Sequence, residues 1–278
     1  MLIDTHCHLN FKDFDSDRDE IIERCLKNGI EIINIGVNYK TSQEVIKITQ
    51  KYKKGVYATV ALHPHDVTGC LSAEVLTKAG EKREREEFDY DKFLKLAKNR
   101  KVVAIGETGL DYAFCESDEK AQKLQQEVFI KHLELAKEVN KPVVIHSRRL
   151  FPEILKIIKK HRTSNSELRG VLHCYMGRWS YAEEYLKLGF YISFTGLITY
   201  ARDYDKVIKN TPLDRILIET DAPYLAPEPL RQAQGKPVRN EPKYVEYVAR
   251  KIAEIKGVSF EKVAEQTTQN AKELFNLL

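Results

Sequence analysis

The chain has 278 residues, 42% of them hydrophobic and 31% charged, the balance of a globular protein rather than a disordered, collagen-like or disulfide-stapled one. Lys and Arg total 45 against 41 Asp and Glu, and the resulting net charge of +4 permits a polyanionic partner without requiring one. No apolar run reaches the ~18 residues of a membrane-spanning helix, MLIDTHCHLN lacks the basic and apolar blocks of a signal peptide, and five scattered cysteines (Cys7, Cys25, Cys70, Cys115, Cys174) without a CxxC pair argue against a disulfide framework or thiolate zinc knot; a cytoplasmic protein with no membrane partner is expected.

Along the chain, short runs rich in Val, Ile and Leu alternate with longer stretches whose apolar residues recur every three or four positions, the period of amphipathic helices. Run 2–4 precedes a helix over 18–27 that Gly29 is placed to end. Run 31–37 precedes a helix over 43–53, which Thr41 and Glu44 would open as a capping box. Run 56–62 is followed by a charge-rich insertion over 71–90, read as a short helix with a solvated face. Runs 102–105 and 142–145 precede helices over 122–138 and 151–160, and runs 170–172, 190–194 and 215–218 complete the series. Eight strand-helix units in a chain of this length, without a Gly-rich phosphate turn, predict an α/β protein of the closed (β/α)₈ type, a TIM barrel, rather than an open doubly wound sheet. One domain over 1–278 is expected, with no internal repeat or linker.

The polar residues fall where such a barrel would use them. His6 and His8 follow the first strand, His63 and His65 the third, Glu107 the fourth and Asp221 the eighth, while His146 ends the fifth and His173 the sixth; of the eight histidines only His132 and His161 lie elsewhere. All these strand ends open onto one face of a barrel, the face where active sites are built. Side chains two apart on a strand point the same way, so His6 and His8 can reach one ion. Imidazoles and carboxylates without thiolates suit zinc, manganese, iron, nickel or cobalt, and carboxylates with water also suit magnesium. His63 and His65 read as substrate contacts or supports for ligands in preference to ligands, and Asp4 either as a carboxylate orienting a ligand or as a strand-end turn residue. Cys7 and Cys174 adjoin proposed ligands and so point away from the site, and Ser147 lacks the GxSxG setting of a nucleophile.

The blocks DTHCHLN (residues 4–10), ALHPHD (61–66), VAIGETGLDY (103–112), VVIHSR (143–148), GVLHCYMG (170–177), ILIETDAPYLAP (216–227) and RNEP (239–242), in this order, resemble the TatD family of metal-dependent nucleases within the amidohydrolase-like barrels. The resemblance implies a metal site with two divalent ions per chain (Mg, Mn or Zn) and hydrolysis of phosphodiester bonds in DNA, typically as a 3′ to 5′ exonuclease. It implies His6 and His8 as ligands of one metal, Glu107 as a bridge, His146 and His173 as ligands of the second, and Asp221 as a further ligand. The chain departs from the family in two places. The usual HxRDA reads His146-Ser147-Arg148-Arg149-Leu150, with Arg149 where Asp is common, and the loop after the eighth strand is longer, so that Arg231 and Lys236 lack clear counterparts.

Two such ions would clamp a phosphate and lower the pKa of a water between them, with Asp221 as general base and Glu107 as its catalytic neighbour. Arg148 is placed to neutralise a phosphate oxygen, and Tyr112 and Tyr224 to stack on bases. Lys236, Arg239 and Lys243 are candidates to steer the backbone of a DNA substrate, taken as single-stranded or as 3′ ends. A second class keeps the metals but hydrolyses an acyl or amide bond, as a D-aminoacyl-tRNA deacylase does, because one barrel hosts many chemistries. A silent scaffold is disfavoured because every ligand position is filled.

Overall fold

The computed structural model describes residues 1–69, 85–113, 115–162, 168–230 and 238–277. Eight parallel strands follow one another around a (β/α)₈ barrel in sequence order: β1 Leu2–Cys7, β2 Ile30–Ile35, β3 Val56–Val60, β4 Val102–Leu110, β5 Val143–Ser147, β6 Gly170–Leu172, β7 Tyr191–Phe194 and β8 Ile216–Ile218. The ring closes where the end of β1 meets the segment after β8, through a parallel bridge from Cys7 to Ala222 and the backbone bonds Asp221 N to His6 O (2.8 Å) and His8 N to Ala222 O (2.7 Å). Helices α1 Arg18–Lys27, α2 Tyr39–Gln50, α3 Pro64–Thr68, α4 Tyr90–Ala97, α5 Glu119–Glu138, α6 Phe151–His161, α7 Trp179–Lys187, α8 Asp205–Asn210, α9 Val245–Lys256 and α10 Phe260–Phe275 are carried between and after the strands.

Every strand residue but Glu31 and His146 is buried, as expected where both faces of a parallel sheet are covered. The core accordingly has two parts. Leu2, Ile32, Val56, Val143, Leu172 and Ile216 belong to the larger apolar cluster with the helices. Ile3, Ile33, Val144, Val171 and Leu217 form a second cluster, which Leu274 and Phe275 of α10 join.

Three expectations are adjusted. β1 runs on through Cys7 and β4 through Leu110, so His6 and Glu107 lie within strands and not after them; polar residues end the apolar run in the sequence, but the backbone ladder does not depend on side-chain polarity. α2 begins at Tyr39 because Asn38, not Thr41, is its N-cap: Thr41 N donates to Asn38 Oδ1 and Asn38 N to Thr41 Oγ1, each at 2.9 Å. Gly29 follows α1 in the left-handed region as expected, at φ 71°. Most of the 71–90 insertion, Cys70, Arg231 and Lys236 lie outside the described residues. Among the described residues no helix is long and apolar enough to cross a membrane, and Cys7, Cys25, Cys115 and Cys174 are not joined to one another by disulfides.

Candidate metal centre

The strand ends of β1 and β4 bring the first donors together. His6 Nε2 lies 3.3 Å from His8 Nε2, 3.4 Å from Glu107 Oε2 and 3.7 Å from Asp221 Oδ1. His8 Nε2 lies 3.9 Å from that Glu107 oxygen and 3.4 Å from that Asp221 oxygen. The seam between β1 and β8 sets this approach, because the backbone bond from Asp221 to His6 fixes the register of the two segments. Asp221 itself turns off the strand at φ 56°, a left-handed conformation that short polar side chains tolerate.

Glu107 turns its other oxygen to a second group. Oε1 lies 2.7 Å from His146 Nδ1 and 3.6 Å from both His63 Nε2 and His173 Nε2. The glycines around Glu107 make this possible. A Cβ on Gly106 would sit 2.5 Å from Val144 Cβ, and one on Gly109 would sit 2.0 Å from His146 O. Only glycine lets β4 lie this close to β5. His173 stands between the groups, its ring stacked on that of His6 with centroids 3.6 Å apart.

Sequence reasoning passed over the carboxylates that hold these imidazoles. Asp111 Oδ2 contacts His65 Nε2 at 2.8 Å and His146 Nε2 at 3.2 Å, while Glu219 Oε1 lies 2.8 Å from His173 Nδ1 and accepts from Cys174 N at 2.7 Å. Such partners orient a ligand ring, and the signal available was an acidic residue inside GETGLDY and ETD. Asp4 does not touch the imidazoles. Its carboxylate accepts from Thr220 N (2.8 Å), Thr220 Oγ1 (2.6 Å) and His6 N (3.3 Å), bracing the backbone beneath the donors.

Burial and charge act against each other here. Burial would raise Glu107, but the imidazoles of His63, His173 and His6 and the hydrogen bond from His146 hold it well below the usual carboxylate range. Asp221 is held down in the same way, by His8 above all. Burial drives His63 down to about 3. It would also lower His146 and His173, yet Asp111 and Glu107 keep His146 at about 9, and Glu219 and Glu107 keep His173 at about 10.

The remaining candidates fall around the mouth. His63 caps α3, its Nδ1 accepting from His65 N at 3.2 Å, so its Nε2 faces Glu107 and it stands with the donors; His65 lies one step back on Asp111. Tyr112 accepts a hydrogen bond from Gln126 (2.8 Å), and with Arg148 and Arg149 it lines a cavity of ≈ 540 Å³. The backbone at Arg149 turns into the left-handed region, at φ 64°, and both arginines border one cavity. Tyr224 is 54% exposed. Arg239 is bound to Asp17 at 2.5 Å and Lys243 lies 3.3 Å from Glu241, so each of these two cations is paired with a carboxylate. Cys7 is fully buried, with its thiol 3.6 Å from Ile33 O, and Cys174 points to Thr195. Ser147 is buried.

The donor set fits divalent cations. His6, His8 and Glu107 form one group of ligand atoms, His63, Glu107 and His146 another, and His6, His173 and Asp221 a third, each within 4.8 Å. Ligand atoms bound at ~2.0–2.2 Å around one ion stand roughly 3.0–3.5 Å apart, close to the 3.3–3.9 Å measured around His6 and His8. A (β/α)₈ barrel with such a cluster at its strand ends defines a class, the metal-dependent hydrolases.

The profile of the family described as TatD related DNase matches residues 3–276, and the chain belongs to that family. It is 39% identical over 280 residues to the metal-dependent hydrolase YabD of Bacillus subtilis, covering 100% of each chain. It is 33% identical over 279 residues to the human deoxyribonuclease TATDN3, covering 99% of this chain and 94% of that one. The crystal structure of the TatD homolog YjjV of Escherichia coli superposes with a TM-score of 0.82 at 29% identity, covering 100% of this chain and 98% of that one.

Proposed function

We propose that residues 1–278 form one hydrolase domain that cleaves phosphodiester bonds of DNA, working in the cytoplasm from the 3′ end of single strands. The observation that carries this reading is Glu107, whose Oε2 faces His6 at 3.4 Å while its Oε1 faces His146 and His173 at 2.7 and 3.6 Å, so that one carboxylate would serve both sets of imidazoles. His6 and His8 would hold one ion with Asp221, and His146, with His63 and His173, would hold the other. Divalent ions bound there supply Lewis-acid stabilisation of the phosphate and a lowered pKa for the attacking water.

The chain's own groups do the rest. Asp221 is the most open of the carboxylates around the imidazoles, its side chain 16% exposed against 6% for Glu107 and 1% for both Asp111 and Glu219. It alone can both face the donors and pass a proton to solvent, so it takes the proton from water as general base. Asp111 and Glu219 hold the imidazoles in place. Arg148 offers a cation to the phosphate, and His65, Tyr112 and Tyr224 complete the face turned to the substrate. The name of the human relative TATDN3 supports a nucleic-acid substrate over the acyl alternative. The test is to incubate metal-reconstituted protein with single strands labelled at either end, duplex DNA and a D-aminoacyl-tRNA. Stepwise shortening from the 3′ end is expected, and deacylation without nuclease activity would overturn the proposal.

A further inference from the structure

A single exposed apolar side chain needs no explanation, whereas adjoining aromatic rings at a functional mouth form the kind of surface that marks a ligand site. Among the described residues Met1, Met176, Tyr224 and Val258 are the exposed ones, and Tyr224 follows Asp221 by three positions. Its ring does not hang on a loose loop. Tyr224 N donates to Asp221 O at 2.8 Å, and the buried Asn240 donates through Nδ2 to both Tyr224 O (2.6 Å) and Thr220 O (2.8 Å). Asn240 belongs to the RNEP block, for which the metal chemistry gives no role. It pins the Tyr224 backbone to the same turn that aims Asp221.

A second aromatic ring continues the surface. Phe11 stacks on His8 with centroids 4.6 Å apart and planes 12° from parallel. Tyr224 meets Phe11 edge to face at 6.3 Å and His8 at 6.5 Å. The result is a preorganised aromatic shelf beside the imidazole whose Nε2 faces the donors, with the two arginines of the cavity on another part of the mouth. Flat apolar faces beside a phosphate site and cations match one ligand chemistry, a nucleotide whose base is unpaired. A base inside a duplex has both faces covered by its neighbours.

Resting on the function proposed above, we infer that Tyr224, backed by Phe11 and fixed by Asn240, is the platform on which an unpaired nucleobase stacks while its phosphate sits at the donors. Stacking tolerates any base, so the shelf selects unpaired ends without selecting sequence.

The experiment measures binding of a short fluorescein-labelled single strand in EDTA, where nothing is cleaved, and cleavage of the same strand after metal addition. A strand with abasic units near its 3′ end is the comparison. Tyr224→Ala should weaken binding of the normal strand by about 5- to 140-fold, which is the ~1–3 kcal/mol of one base stack at 1.4 kcal/mol per tenfold. It should leave the abasic strand unchanged, and Tyr224→Phe or Tyr224→Trp should restore the wild-type preference. Because the ring is exposed, its removal tests the surface and not the fold. A wild-type enzyme that cleaves both strands, with Tyr224→Ala affecting both equally or neither, overturns the shelf alone. A wild-type protein that neither binds nor cleaves the normal strand overturns the nuclease reading, and the shelf with it.

Discussion

His132 lies outside the barrel mouth, yet it holds two of the segments that build the centre. Its ring is fully buried on α5. Leu62 N donates to Nε2 at 3.0 Å, Nδ1 donates to Val128 O at 2.8 Å, and Thr108 Oγ1 lies 3.1 Å from Nδ1. Leu62 precedes His63 and Thr108 follows Glu107. Since Nε2 accepts, the ring is the neutral Nδ1–H tautomer. His132→Leu keeps a similar volume but leaves the buried Leu62 N–H without its partner, about 1–3 kcal/mol, and removes the one Nδ1–H, which donates to Val128 O with Thr108 Oγ1 as a second acceptor, about 1 kcal/mol. A loss of about 2–4 kcal/mol is expected at pH 8.

The pH dependence carries the sign. Burial lowers His132 to about 3 from an ordinary 6.5. Its contribution is therefore complete above pH 6.5 and falls by about 1.4 kcal/mol per unit as pH drops toward 3, because the unfolded chain takes up the proton first. By pH 5 the wild type should lose about 2 kcal/mol through this residue, and His132→Leu should not. Urea unfolding of both proteins in chelator, at pH 8 and pH 5, measures the gap between them, so that the other histidines cancel. A gap of the same size at the two pH values would refute the buried neutral imidazole.

Asp221→Asn should lower turnover by about 10²–10⁴-fold with little change in substrate affinity; metal content is measured on the same sample, and near-normal turnover with metal retained excludes the general base. Elemental analysis after reconstitution should approach two divalent ions per chain, and a plateau below one would sink the bridging role of Glu107. Arg148 and Arg149 border one cavity, so Arg148→Ala and Arg149→Ala should each weaken binding of single-stranded DNA and each reduce the slope of log affinity against log salt by about 0.7. Unchanged affinity and an unchanged slope in both variants would show that this cavity does not take the strand.

The sequence revealed the barrel because its strands are short apolar runs separated by helical periods, and it revealed the donors because His6, His146, His173 and Asp221 each stand at the end of such a run. What it did not show was direction. His63 lies three residues beyond β3, where strand alternation no longer applies, and its ring is aimed by capping α3. Asp111 and Glu219 look like ordinary acidic residues in sequence, and only the folded strand ends reveal that they face His146 and His173. Asp4 shares the parity of His6 and His8, which suggested a partner for the imidazoles, but its carboxylate is taken by Thr220 N and Oγ1. Nor does the sequence show that the chain turns into the left-handed region at Arg149, so that it borders one cavity with Arg148.

The seam that closes the barrel also sets a timetable. His6 and His8 leave the ribosome some 215 residues ahead of Asp221, roughly 10–40 s at ordinary rates of synthesis. Throughout that interval the first imidazoles exist without the carboxylate and the Thr220 contact that complete their surroundings. An ion captured early by the nascent histidines would be held by a fragment of the centre. Hydrolytic competence therefore arrives late, when the eighth strand docks beside the first, and a polypeptide cut short between His173 and that strand carries most of the donors and lacks Asp221.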